Sequence, residues 1–381
     1  MSLSSTFAKL VPASLLVALF LAAGCARLPV AAPLPPWFTV TSIAAVEPTA
    51  PFACNPEEEG IAYGREGLRL EAADGGEEHV LADDEPFLLS WSPDGGRLAA
   101  AFTGEGGTVL RLFAANGMSL GETLVPGNVG ALGWNASELM AAAVTLETFS
   151  FGGTLRQLLY RWDGIAAPKA ITLSSTTLMR STVKQWGGAL PGFFHLAVSP
   201  WGDAIVYTRF HDPPAFSPYL KVILRHLESG EEQELASVSL DAGGALFTPF
   251  GEAVLYGDGR GASSLIDPWA GGERPAHSLP GRALAFSPGA TSLFIDGHLY
   301  REDKELAVFT AASAGCFTRH GRELVVRSDG HLFRVAGLPP DETLAPEPQT
   351  RQRLLELRKW RSEGLITAEE YRRTAGKEGG K

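Results

Sequence analysis

Apolar and polar positions alternate along most of this chain in short blocks, with clusters of Gly, Pro, Asp and Ser between brief apolar runs. That is the pattern of short strands joined by tight turns. One block recurs. Trp91-Ser92-Pro93-Asp94-Gly95 precedes Leu98-Ala99-Ala100, Val198-Ser199-Pro200-Trp201-Gly202 precedes Ile205-Val206-Tyr207, and Phe247-Thr248-Pro249-Phe250-Gly251 precedes Val254-Leu255-Tyr256. Looser copies begin at Cys54, Phe286 and Phe317, and in all six the aliphatic residue follows the first anchor by seven positions. A seventh copy, Trp134-Asn135-Ala136-Ser137 before Leu139-Met140-Ala141, is shorter and lacks the Gly.

Each copy reads as a strand, a turn shaped by Pro and Gly, and a second apolar strand, a hairpin that cannot bury both faces alone. The anchors at 54, 91, 134, 198, 247, 286 and 317 are spaced by 37, 43, 64, 49, 39 and 31 residues, near the length of one four-stranded propeller blade. The expected fold is therefore all-β, a β-propeller of about seven blades over residues 51–340, with six or eight blades as the alternatives. Asp296-Gly297-His298-Leu299-Tyr300 and Asp329-Gly330-His331-Leu332-Phe333 add a second repeated hairpin signal one turn later. His298 and His331 lack companion ligands in sequence and read as turn residues, so no metal site is expected.

The Ser-Pro-Asp-Gly turn followed by an aliphatic strand resembles the propeller repeat of the TolB family, over roughly residues 51–340. The resemblance implies the fold and says little about function. TolB carries a further α/β domain before its propeller and no lipid, so its partnership is not carried over.

The 381 residues include 43 Gly and 26 Pro, in keeping with many turns, and the net charge is −11. Residues 350–381 hold nine Lys/Arg against five Glu, so the body is more acidic than the total indicates. Nucleic-acid binding draws on Lys and Arg that displace counterions, and such a partner is not expected.

Lys9 precedes an apolar run from Leu10 to Ala23, too short for a comfortable membrane span, and residues 1–24 read as a signal peptide. The run ends in Leu21-Ala22-Ala23-Gly24-Cys25, which resembles the lipobox of bacterial lipoproteins. The resemblance implies cleavage before Cys25 and acylation of its thiol. Residues 25–50, with Pro29, Pro33, Pro35, Pro36 and Pro48, read as a semi-extended tether. Ala26, in place of the Asp that retains enterobacterial lipoproteins in the inner membrane, implies the outer membrane, facing the periplasm.

Cys54 and Cys316 then remain, in the first and last repeats, where a disulfide would clasp the ring. Cys54 occupies the anchor position whereas Cys316 precedes its anchor Phe317, so the two begin on opposite strand faces. That difference favours two buried thiols over a bond.

The insertions carry the candidate recognition surface. Blade three has Thr145 to Gly153 after its second strand and a long return from Ser174 to Leu190, and blade four has His211 to Tyr219. All would project from one face, with Phe149, Phe151, Trp186, His211, Phe216 and Tyr219 as interface aromatics. Trp201 and Phe250 stand where the turn has Asp and form a second expected patch on the other face. No Gly-x-Ser-x-Gly elbow, His-Glu-x-x-His, Cys-x-x-Cys or phosphate-binding loop is present, so no catalytic residue and no cofactor is expected.

Beyond a linker at 341–349, helical periodicity replaces alternation. Leu354, Leu357 and Trp360 form an apolar stripe, Gly364 is a helix stop, and Thr367 with Glu370 is a capping box flanked by Ile366 and Tyr371. With Leu365, this short two-helix segment over 350–381 is similar to the SHOCT domain, which implies self-association or partner binding. The expected function is a protein-binding scaffold of the bacterial cell envelope, lipid-anchored and joined to envelope proteins or to further copies of itself. The alternative is a propeller hydrolase or lyase acting on sugar or peptide in a central pocket.

Overall fold

The computed structural model describes residues 26–341, except 59, 72–77, 136–137, 215, 243, 259–260, 270–276, 282 and 302–303, together with Glu356, Leu357, Trp360, Leu365, Thr367, Glu370 and Thr374. The expected signal peptide, the lipidation site Cys25 and the tail residues Leu354, Ile366 and Tyr371 lie outside the described residues.

The described strands form seven four-stranded antiparallel sheets, the blades of a seven-bladed β-propeller. In chain order the blades span 52–82, 88–126, 128–179, 196–238, 245–280 and 283–308. The seventh joins three strands from 312–336 to one from the other end of the chain, Thr39–Ala45. The second strand of each blade lies between neighbouring sheets on both faces, which explains why it is a continuous apolar run instead of an alternating one. Leu98, Ala99, Ala100 and Ala101 are all fully buried, as are Val254 and Leu255 in blade five.

The two tryptophan anchors point backward around the ring. Trp91 Nε1 donates to the Ala53 carbonyl of blade one at 3.2 Å, and Trp134 Nε1 to the Ser90 carbonyl of blade two at 3.2 Å. The turn glycine has a reason of its own: Gly95 has φ +64° and Gly202 has φ +72°. A Cβ on Gly95 would come within 2.3 Å of Asn55 Oδ1, and one on Gly202 within 1.8 Å of Asn135 Oδ1, both from the preceding blade. The repeat thus keeps Gly where the backbone is left-handed and the neighbour is close.

The segment expected to be a Pro-rich tether is instead part of the ring. Thr39–Ala45 pairs antiparallel with His331–Ala336, from Thr39 opposite Ala336 to Ala45 opposite His331, and forms the outer strand of blade seven. Upstream of it, Val30 bridges to Phe309, Leu28 is buried, and Leu34 and Phe38 pack on the cluster that contains Phe309, Phe333 and Val335. Proline content alone does not distinguish a free linker from a segment laid along a sheet edge.

Cys54 and Cys316 are joined in a disulfide, with a Cα–Cα distance of 5.9 Å, and the expectation of two thiols is corrected. In a ring, the face that one blade turns toward its successor meets the face that the successor turns backward. Residues touching across that joint come from opposite faces of equivalent strands, so the one-residue register difference is what brings the two sulfurs together. Thr318 Oγ1 donates to the Glu58 carbonyl, and Arg334 lies 3.3 Å from Glu71, across the same joint.

The chain is pinned again where it leaves the ring. In blade two Ser92 Oγ donates to Asp94 Oδ1 (2.5 Å) and accepts from Arg97 N–H (2.9 Å). Blade six has no Asp in its turn, and Asp341, expected to begin the linker, supplies the carboxylate. It accepts from Ser287 Oγ at 3.0 Å, from Gly289 N–H at 2.6 Å and from Thr291 Oγ1. Arg301 donates to the Pro339 and Pro340 carbonyls at 2.8 and 3.0 Å just before it.

Two outcomes follow for stability. Reduction of the disulfide, or Cys54→Ser, should lower the unfolding free energy by roughly 2–4 kcal/mol, read as a shift in denaturant midpoint with and without reductant. Asp341→Ala should lower it by about 1–3 kcal/mol because buried donors lose their acceptor. An unchanged midpoint in either case would mean that the contact carries no stability.

Candidate functional site

The ring presents two faces of different construction. On the turn face lie the Ser-Pro-Asp-Gly turns between first and second strands. On the opposite, loop face lie the connections between second and third strands and those from each blade to the next, which together include both blade insertions.

Blade three is built to protrude from the loop face. Its second strand, Glu138–Phe149, is paired with the inner strand only up to Val144 opposite Asn128, whereas its pairing with the third strand continues to Phe149 opposite Gly152. Five residues therefore extend the hairpin past the inner strand, a reach of roughly 16 Å at the usual strand rise. The outer strand Lys169–Met179 follows it to the tip, where Met179 lies opposite Gly152. Gln157, itself buried, fastens this blade to the next by donating to the Thr208 carbonyl at 2.9 Å, and its own carbonyl accepts from Ser174 Oγ at 2.7 Å.

The return from blade three forms a short helix, Arg180–Trp186, which Asp212 of the blade-four loop holds in place. Asp212 Oδ2 accepts from Met179 N–H at 2.9 Å and Oδ1 from Thr182 Oγ1 at 3.0 Å. The two insertions are thereby one structure. On blade four's flank Lys221 donates to Glu234 Oε2 at 2.8 Å, which holds the Glu234 carboxyl below its ordinary value against the opposing effect of burial.

The six aromatics proposed for this face divide into two groups. Phe149, Phe151 and Phe216 are 49%, 86% and 75% exposed at adjacent loop tips. The other three pack within the insertions: Trp186 lies against Phe193 edge-on at 5.7 Å between ring centroids, and His211 against Tyr219 at 4.8 Å. The second expected patch is corrected. Trp201 is buried and its Nε1 donates to the Phe250 carbonyl at 2.9 Å, so this pair joins the turns of blades four and five, with Phe250 itself half-buried.

In the tail, Leu357 is buried, Trp360 half-buried and Leu365 67% exposed. The capping box has formed: Thr367 N–H donates to Glu370 Oε2 at 2.8 Å and Glu370 N–H to Thr367 Oγ1 at 3.1 Å. Among the described residues, no three His, Cys, Asp or Glu side chains gather into a group able to hold a metal ion.

Asp212 and Asp341 escaped the sequence reading. The Asp-Pro-Pro that begins the blade-four loop marks a turn but not its partner, and Asp341 acts on a turn fifty residues away in the chain.

Trp201→Ala should cost roughly 3–5 kcal/mol of stability, as for a buried aromatic. Phe151→Ser should leave the unfolding midpoint unchanged to within about 0.5 kcal/mol, as for an exposed position. Thermal and denaturant unfolding of the two variants separate a packing residue from a surface one.

No protein-family model and no curated protein matches the chain. Solved structures do. The chain is similar to hydrazine synthase of Kuenenia stuttgartiensis, at 13% identity and a TM-score of 0.54, covering 78% of this chain and 97% of that one. It is similar to an oligogalacturonate lyase in complex with manganese, at 12% identity and a TM-score of 0.54, covering 81% and 97%. A chain of a mitotic checkpoint complex matches at 13% identity and a TM-score of 0.52, covering 78% and 93%. At these identities the likeness establishes the propeller fold and nothing finer.

Proposed function

We propose that this chain is a lipid-anchored scaffold of the bacterial cell envelope, of TolB-like repeat, whose SHOCT-like tail binds a protein partner or a second copy. The observation that carries the reading is where the chain enters and leaves the ring. Pro29 and Val30 run beside Phe309 and Thr310 at the loop face, next to the turn at Gly297. The exit at Pro339, Pro340 and Asp341 is clamped to the turn of blade six, on the turn face. An anchor on Cys25 and a tail after 341 are thus delivered to opposite faces of a rigid ring.

A two-helix tail is too small to bury much apolar surface alone, and the exposed Leu365 beside a formed capping box leaves it a surface to offer. The fold itself is neutral on chemistry. It serves an oligogalacturonate lyase as well as a component of a checkpoint complex, so function is argued from these particular surfaces.

Affinity capture from solubilised envelopes, with the full chain and with a chain lacking residues 350–381, tests the scaffold role. Truncation should abolish recovery of the principal partner, and Leu365→Asp should reduce it about tenfold, as for an interface hot spot. Cys25→Ser should move the protein from the membrane to the soluble fraction. Capture that is indifferent to both tail changes would remove the tail from the binding role.

A further inference from the structure

We propose that the loop face, through the fingers of blades three and four, is the face that lies on the lipid surface, with the three exposed phenylalanines entering the headgroup region. The proposal rests on the lipid-anchor reading and adds an orientation to it. Three observations converge on it.

First, the chain approaches from this face with no slack. Thr310 N–H donates to the Pro29 carbonyl at 3.2 Å and Ala31 N–H to the Val308 carbonyl at 3.0 Å, and Leu28 is already buried. The last strand of blade six runs toward the loop face and ends at Val308, so the antiparallel segment 29–31 runs inward from that face. A lipid on Cys25 would hold the rim of blades six and seven within a few residues of the bilayer. The loop face is the side brought nearest.

Second, Phe149, Phe151 and Phe216 stand on the same face across the ring, at the tips of a hairpin and a loop that are locked together. Bare aromatic tips on a rigid support pay little conformational entropy on insertion, and rings suit the boundary between headgroups and acyl chains.

Third, the charge beside them suits anionic headgroups. Arg156, Arg180 and Lys184 are exposed on the hairpin and the helix, and among the described residues Arg180 and Lys184 have no carboxylate within ion-pair distance. Arg156 lies 3.6 Å from Glu147. The other loops of this face carry exposed carboxylates, Glu66, Asp83, Asp84, Glu85 and Glu105 on blades one and two, Asp241 after blade four, and Asp296 and Asp329 on blades six and seven, so anionic lipid would favour contact at the finger and helix of blade three and disfavour it elsewhere on the face. The ring would sit tilted, held by the anchor on one rim and by the aromatic fingers on another.

The test places a tryptophan on each face of the full-length protein and reads its contact with lipid. Phe151→Trp reports the loop face. Ile165→Trp, at a position 93% exposed on the turn between the third and fourth strands of blade three, reports the turn face. Each is measured as a difference from the parent, which has eight tryptophans of its own, in vesicles of brominated phosphatidylcholine and phosphatidylglycerol. The added signal of Phe151→Trp should shift to the blue and be quenched by about half or more, as for a side chain at the headgroup boundary. That of Ile165→Trp should be unchanged.

The mass of the amino-terminal peptide from the same sample reads acylation of Cys25 separately. An acylated, vesicle-bound chain whose Phe151→Trp signal is unquenched overturns the orientation and leaves the anchor standing. Equal quenching at both positions also overturns it. A chain that carries no lipid and does not bind vesicles overturns the anchor reading, and the orientation falls with it.

Discussion

A ring of sheets has no complete interior until its last blade meets its first, and here that joint is secured in three chemical ways. Thr39–Ala45 supplies backbone hydrogen bonds to blade seven, Cys54 and Cys316 supply a covalent bond, and Thr318 and Arg334 reach polar groups of blade one. The second strands of blades one and seven are as fully buried as those elsewhere, with Ile61, Ala62, Leu324, Val325 and Val326 all without solvent exposure. That burial exists only because the joint is closed. The anchors Trp91 and Trp134, with their indole hydrogen bonds to the preceding blade, help convert closure into a rigid body on which loops can be held in fixed relation.

Rigidity is what gives the two faces separate meanings. On the turn face the turns between first and second strands are short, internally hydrogen-bonded and joined from blade to blade by contacts such as Trp201 to the Phe250 carbonyl. The loop face carries the irregularity, an overlong hairpin in blade three and a blade-four loop coupled to it through Asp212. Since the chain enters beside the second face and leaves beside the first, whatever is attached at the two ends is kept apart by the thickness of the ring.

The fold was legible because its signals are local and repeated. An anchor, a Ser-Pro-x-Gly turn and an apolar strand recur often enough for their spacing to count the blades, and the capping box at Thr367 and Glu370 is legible for the same reason. The features that local pattern does not reveal depend on partners far away in sequence. Thr-Val-Thr-Ser-Ile-Ala-Ala at 39–45 is a reasonable strand by composition, but its partner lies at the other end of the ring and the prolines before it suggested a tether. Within a single sheet the two cysteine positions face apart, whereas neighbouring blades meet through opposite faces. Trp201 replaces a turn Asp and resembled a surface feature until its indole found a carbonyl in the next blade. Of the six loop aromatics, exposure separates Phe149, Phe151 and Phe216 from the rest, a distinction fixed by packing that no residue type announces.

The strand at 39–45 also sets an order of events on the chain's emergence during synthesis. It appears almost a whole ring before its partner at 331–336, while the cysteines that seal the joint are 262 residues apart. Until then the first blade waits with one face uncovered, and the early strand has an unsatisfied edge. Long-range pairing of this kind makes folding slow and leaves intermediates prone to association. A premature bond from Cys54 to another thiol would leave the ring open, so the clasp that secures the finished molecule is also the step most exposed to error while it forms.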